Sequence, residues 1–273
     1  MRVHGTAAAV AMVASVLAGA SEAAAQNQRP VVVTVEYMKV APGQDDAYLQ
    51  VEQKMWKPIH EARVKAGKAI AWYLYRVASP SGTLVDHNYV TVAIYDGFEA
   101  TENPYPEDLL AKIVPAQSMT EFMRKTVASR ELVRSEMWEG IPDMLISAPP
   151  GSKPAPFLNV AYMKVPAGGE SAYLEVEKLW KKMHEVRVKE GTLVSWGVYA
   201  RMLPEGSDYP YNFATTNAYA RYKDLNGLDF QAAFQKANLG MNVNELAERT
   251  GKSRDLVRGE IWVLVDAVQA PPK

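Results

Sequence analysis

The chain has 273 residues, 48% of them hydrophobic and 22% charged, with 30 basic against 31 acidic side chains and no cysteine. That near-neutral balance argues against a nucleic-acid partner, since phosphate binding needs a basic surface. With no disulfides available, the fold must stand on its hydrophobic core, and there is no polybasic or low-complexity tract to set aside.

Residues 1–25 read as an export signal. Met1 to Gly5 is a short basic segment, Thr6 to Ala20 is an apolar run rich in Ala and Val, and Ser21-Glu22-Ala23-Ala24-Ala25 offers a small-residue cleavage site after Ala25. The run is shorter than the roughly 20 residues of a spanning helix. A periplasmic or secreted protein is therefore expected, with no membrane attachment after cleavage, and the missing cysteine excludes a lipoprotein.

Val31 to Val40 alternates and is rich in β-branched residues, which predicts a strand. Pro42-Gly43 turns the chain, Asp45 is placed to cap a helix, and the helix runs to about Ala66 with Gly67 as its C-cap. Its apolar stripe is Val51, Met55, Ile59, Ala62 and Ala66. Strands follow at Ala69 to Val77 and Asn88 to Tyr95, then a helix over Pro106 to Ala128 broken at Pro115, then a strand at Glu131 to Trp138. Gly140 to Ala155, with Pro142, Pro149, Pro150 and Pro154, reads as a linker. The same order returns as strand Phe157 to Val165, helix Ser171 to Glu190, strands Leu193 to Arg201 and Asn212 to Tyr219, helical pieces at Leu228 to Ala237 and Val243 to Arg249, and strand Asp255 to Val265.

The chain is one unit written twice. Trp56-Lys57-Pro58-Ile59-His60-Glu61-Ala62-Arg63-Val64-Lys65 returns as Trp180-Lys181-Lys182-Met183-His184-Glu185-Val186-Arg187-Val188-Lys189. Likewise Ser129-Arg130-Glu131-Leu132-Val133-Arg134-Ser135-Glu136-Met137-Trp138 returns as Ser253-Arg254-Asp255-Leu256-Val257-Arg258-Gly259-Glu260-Ile261-Trp262. This sets the domains: a first repeat over 26–140, a Pro-rich linker over 141–156, a second repeat over 157–268 and a tail over 269–273. One mismatch is informative. Val51-Glu52-Gln53-Lys54-Met55-Trp56 is one residue longer than Val176-Glu177-Lys178-Leu179-Trp180, and Pro58 follows. A kink or π-bulge is predicted near Gln53 to Trp56, absent from the second copy.

A β-α-β-β-α-β unit is the ferredoxin-like split βαβ, an antiparallel sheet with helices on one face and the other face bare. Two such units in one chain resemble the dimeric α+β barrel superfamily, which includes antibiotic-biosynthesis-type monooxygenases, haem-degrading oxygenases, chlorite dismutases, muconolactone isomerases, and the EthD and NIPSNAP groups. The resemblance implies an α+β fold in which two tandem ferredoxin-like repeats pack sheet to sheet as an intramolecular barrel.

The strand pleat then assigns an interior. It sends Tyr37, Lys39, Tyr73, Tyr75, Tyr89, Thr91, Arg134, Glu136 and Trp138 inward from the first copy, and Tyr162, Lys164, Tyr199, Phe213, Thr215, Arg258, Glu260 and Trp262 from the second. Two readings follow for this aromatic and charged interior. Either Arg134, Glu136 and Lys39 close a salt-bridge network that merely fills the barrel, or the barrel holds a ligand against Tyr and Trp surfaces with an Arg or Lys anchoring an anionic or carbonyl group.

Trp56, His60 and Arg63 form one helix stripe, and Trp180, His184 and Arg187 repeat it. The stripe reads as a proton-transfer pair, or as a wedge of imidazole and indole with His bonded to a buried carbonyl. No metal is expected, because no second ligand has suitable spacing.

The functional expectation is an exported barrel that binds a small aromatic or anionic molecule between its sheets, with no cofactor. The alternatives are a cofactor-independent oxygenase or isomerase, and haem binding. Whether a reaction occurs and whether barrels assemble further stay open. No phosphate loop, nucleophile elbow, HExxH or paired-Cys motif is present.

Overall fold

The computed structural model describes residues 30–148 and 152–270. The predicted signal at 1–25, Pro149 and Pro150 of the predicted linker, and the last three residues of the predicted tail lie outside them. The elements in order are β1 (Val31–Lys39), α1 (Asp45–Gln50), a π-helical segment (Val51–Trp56), α2 (Lys57–Lys65), β2 (Ala71–Ser79), β3 (Tyr89–Asp96), α3 (Glu107–Ile113), α4 (Ala116–Ser129) and β4 (Glu131–Ile146). The second half repeats them as β5 (Phe157–Lys164), α5 (Glu170–Lys189), β6 (Ser195–Leu203), β7 (Phe213–Tyr219), α6 (Phe230–Ala237), α7 (Val243–Ser253) and β8 (Asp255–Gln269). Among the described residues no helix is long and apolar enough to cross a membrane.

All eight strands form one closed antiparallel barrel in the order β1-β3-β2-β8-β5-β7-β6-β4. The halves meet through hydrogen-bonded edges as well as through side chains. β4 pairs with β1 along one edge and with β6 along the other (Trp138 opposite Arg201, Leu145 opposite Gly197), while β8 pairs with β2 as well as β5 (Trp262 opposite Val77, Val268 opposite Trp72). Closure of this kind removes the unpaired strand edges that an open sheet presents. It also explains why β4 continues through Ile146, into the stretch read as linker: Met144 is buried there in the core of the second half.

The helices cover the outside of the barrel. Val32, Met38, Trp72 and Leu74 pack outward against Tyr48 and Val64 in the first half. Met163, Trp196, Val198 and Phe213 do the same against Tyr173 in the second. Gly67 and Gly191 end the long helices in left-handed conformation (φ 69° and 72°), and Lys68 N–H returns to Arg63 O at 2.8 Å in a Schellman closure. Asp45 does not cap α1. Its Oδ1 instead accepts the Tyr89 hydroxyl at 2.7 Å.

The extra residue of the first copy emerges as the π-helical Val51–Trp56, whereas α5 is continuous α-helix over Glu170–Lys189. The contacts on both sides of it explain why it can be absorbed there. Glu52 pairs with Arg130 as Glu177 pairs with Arg254, and Trp56 Nε1 reaches Thr126 as Trp180 Nε1 reaches Thr250. Both flanks therefore hold the same places, and the surplus residue widens one turn between them.

Candidate ligand cavity and ionic plug

The inward face of β1 is Val31, Val33, Val35 and Tyr37, and that of β5 is Leu158, Val160 and Tyr162. β2 adds Tyr73 and Tyr75, β6 adds Tyr199, and β4 and β8 add Trp138 and Trp262. The expected parity fails on β3 and β7. Tyr89 packs outward beneath α1, against Tyr48 at 4.7 Å, and Val90, Val92 and Ile94 point inward in its place. Thr91 likewise faces Glu36 outside, and Phe213 packs on Tyr173, leaving Ala214 to face the interior.

Charged residues gather at one end of the barrel. Glu136 is buried and accepts from five donors: Arg134 Nε (3.0 Å), Tyr37 OH (2.9 Å), Trp138 Nε1 (3.2 Å), Tyr211 OH (2.5 Å) and Tyr209 OH. Its counterpart Glu260 accepts from Trp262 Nε1 (2.6 Å) and His87 Nε2 (3.1 Å). Arg258 Nε lies 2.5 Å from Glu260 Oε1 yet too far off axis to donate, so this contact is charge pairing without a hydrogen bond. Asp86 then joins the halves, accepting Arg134 Nη1 and Arg258 Nη2 at 2.9 Å each and lying 3.0 Å from His87 Nδ1.

Burial would raise Glu260, but its bonds to His87 and Trp262 and the charge of Arg258 hold it below the usual carboxylate range. Burial pushes Tyr37 and Tyr162 well above the usual phenol range, so both remain neutral. Their hydroxyls meet across the barrel at 2.9 Å. Because Tyr37 donates to a carboxylate that can only accept, its oxygen is left to accept from Tyr162. Lys39 and Lys164 stand outside this network. Lys39 Nζ bonds the carbonyls of Thr83 and Val85, and Lys164 Nζ those of Ser207 and Tyr209. The predicted Arg134–Glu136 pair therefore forms, but Lys39 is not part of it.

On the other side of the Tyr37, Tyr162, Trp138 and Trp262 layer lies a cavity of about 590 Å³. Its walls are Val33, Val35, Val92, Leu158 and Val160 with Tyr73, Tyr75 and Tyr199. Its mouth is rimmed by Ile70, Ala71, Gln269, Ile146 to Ala148 and Ser152 to Ala155. The stretch read as linker thus contributes to the rim. Glu136, Glu260, Arg134 and Arg258 are not among the lining residues, so the charged end is a plug beneath the cavity floor.

The helix stripes lie outside the barrel. His60 stacks on Trp72 at 4.4 Å and 11°, and Arg63 bonds His60 Nδ1 (2.9 Å), Pro104 O (2.6 Å) and Tyr95 OH (2.7 Å). His184 lies 5.1 Å from Trp196, and Arg187 pairs with Asp229 at 2.7 Å. The wedge is therefore made by ring stacking and by the arginines, not by a histidine bonded to a carbonyl. Among the described residues no group of three or more His, Cys, Asp or Glu is placed to hold a metal.

Asp86, His87, Tyr209 and Tyr211 were not legible as interior residues. The signal available was Asn88 and Asn212, whose side chains bond the backbone of Val40 and Val165 in the same way and so align the two β2–β3 and β6–β7 loops. That alignment sets His87 opposite Tyr211, each reaching the buried glutamate of the other half.

The fold is that of dimeric α+β barrels, here closed within one chain. A proposed monooxygenase of Fusobacterium nucleatum is similar over 90% of this chain and 97% of its own, at 10% identity and a TM-score of 0.57. A proposed monooxygenase of Lactobacillus acidophilus matches over 90% and 99%, at 9% identity and a TM-score of 0.55. A lysine-for-arginine variant of chlorite dismutase from Candidatus Nitrospira defluvii matches over 90% and 95%, at 10% identity and a TM-score of 0.50. At these identities the likeness is one of fold. No family model matches the chain, and no curated protein matches it in sequence.

Proposed function

We propose that this is an exported barrel protein that binds a small, largely apolar aromatic molecule between its two sheets. The observation that carries the reading is the cavity itself: about 590 Å³ walled by aliphatic and aromatic side chains, above a floor whose polar atoms are largely bonded to one another. Ligand sites of this size are mostly apolar with a few placed polar groups. Tyr and Trp supply flat contact surface at small entropic cost.

A cofactor-independent oxygenase would use the same cavity, as the two structurally similar proposed monooxygenases suggest. Here, however, the acid–base groups Glu136 and Glu260 stand behind the Tyr and Trp floor, which favours binding over proton transfer. Haem would find no histidine in the lining, since His87 is engaged at both ring nitrogens beneath the floor. Export rests on the sequence of residues 1–25 and is tested by fractionating the native host.

Titration calorimetry with biphenyl as a neutral probe tests the binding reading. The wild type should bind, and Leu158→Trp, which fills the cavity from its wall, should abolish binding while the circular dichroism spectrum stays unchanged. Equal binding by both proteins would place the probe elsewhere and end the proposal.

A further inference from the structure

The cavity is not uniformly apolar, and two of its polar groups lie at opposite depths. Tyr75 is 7% exposed and lines the cavity, with its ring 5.6 Å from Trp262. Three of the four other tyrosines in the lining have their hydroxyls occupied: Tyr73 accepts Gln269 Nε2 at 2.7 Å, and Tyr37 and Tyr162 bond each other. The Tyr75 hydroxyl has no hydrogen-bond partner among the described residues, and it is not sealed off among protein atoms. An unsatisfied phenol in an otherwise apolar wall costs free energy unless something bonds it. The second such group is Lys153 at the mouth. It is the one charged side chain in the lining, and it makes no ion pair among the described residues.

Tyr75 lies four residues along β2 from Ala71 at the rim. At about 3.3 Å per residue that is about 13 Å of strand, or about 10 Å along a barrel axis from which strands tilt by roughly 40°. We propose that the ligand is an elongated aryl carboxylic acid, entered tail first, with a hydroxyl or carbonyl oxygen bonded to Tyr75 and its carboxylate at the rim beside Lys153. The inference rests on the binding reading above and adds the chemistry of both ends of the ligand. The separation suits two or three linked or fused rings, and the flat body lies above the Trp262 floor against Val92, Leu158, Val160 and Tyr199.

The test uses para-hydroxybiphenyl carboxylate, its analogue without the hydroxyl, and its methyl ester, titrated into the full chain, Tyr75→Phe and Lys153→Gln. In the wild type, loss of the hydroxyl should weaken binding about fivefold, the weight of one hydrogen bond. Esterification should weaken it about threefold, as for an exposed ion pair. Tyr75→Phe should erase the first difference and keep the second, and Lys153→Gln should do the reverse. Tyr75→Phe removes no internal bond, so its fold is expected to stay intact. Equal binding of the three probes by the wild type, or variants that weaken all three alike, would overturn the assignment of the ends while leaving cavity binding in place. If neither these probes nor neutral biphenyl binds, the cavity reading fails as well.

Discussion

Glu136 decides whether the plug holds. A buried carboxylate that accepts from five donors leaves no place for a donor of its own, and an amide there would set its N–H groups against Tyr or Arg donors. Glu136→Gln should therefore lower unfolding free energy by about 3 kcal/mol in urea titration. Lys39→Met should cost under about 1 kcal/mol, since that ammonium only bonds loop carbonyls. Equal costs would mean that the plug is not cooperative. A pH signature belongs to the same scale. Burial pushes Glu52 and Glu177 up to about 7 even though Arg130 and Arg254 pull them down, and burial holds His184 at about 3 and His60 well below its ordinary range. A carboxyl held high keeps a proton that the unfolded chain has lost, so stability falls as pH rises from 4.5 to about 7. A histidine held low refuses the proton that the unfolded chain takes up, so stability rises with pH as far as 6.5. The opposed slopes nearly cancel in the wild type. Replacing both glutamates by Gln should uncover a urea midpoint that climbs between pH 4.5 and 6.5, and a flat profile in that variant would refute the assignment.

Among the elements, the first helices were the most legible. Gly67 ends α2 and the extra residue before Trp56 forms a π turn, both as predicted, because helix ends and one-residue insertions are local facts. Deleting Gln53 should restore a continuous α-helix with Glu52 and Trp56 still in place. The loss of its 3.1 Å bond to Asp266 would cost about 1 kcal/mol, read as a small fall in melting temperature. A cooperative collapse instead would show that the π turn is required. β3 was misread for a definite reason. Tyr89, Val90, Thr91 and Val92 are all buried, because one face meets the helices and the other the cavity. When both faces of a strand are covered, alternation of polarity no longer marks which side is inside. β4 runs past the predicted Trp138 into a stretch whose prolines resemble a linker, because Leu145 and Ile146, beyond an irregularity after Gly140, pair with Gly197 and Trp196 of β6, far along the chain.

At the level of the whole molecule, the halves are interlocked by strand edges, by Asp86 between Arg134 and Arg258, and by His87 and Tyr211, each of which bonds the other half's glutamate. Unfolding is therefore expected as one transition, with fluorescence and circular dichroism coinciding. Residues 30–148 and 152–270 made separately should not persist as monomers, since each exposes unpaired strand edges. Light scattering should show self-association of each alone and a one-to-one complex on mixing. Stable separate monomers would show that the contacts between halves are dispensable.

The sequence by itself determined the duplication, the order of elements, the helix stripes and the aromatic, ionic character of β4 and β8, because each is written in local spacing or in repeated residues. Only the tertiary structure decided the rest: that the charged residues form a plug at one end, that an apolar cavity lies above it, that Tyr89 faces out, and that residues 146–148 and 152–155 rim the cavity mouth. Those facts depend on strand register and closure across more than a hundred residues of chain, as in the 125-residue separation of the paired Tyr37 and Tyr162. Long-range pairing of that kind is set by the fit of the two halves to each other.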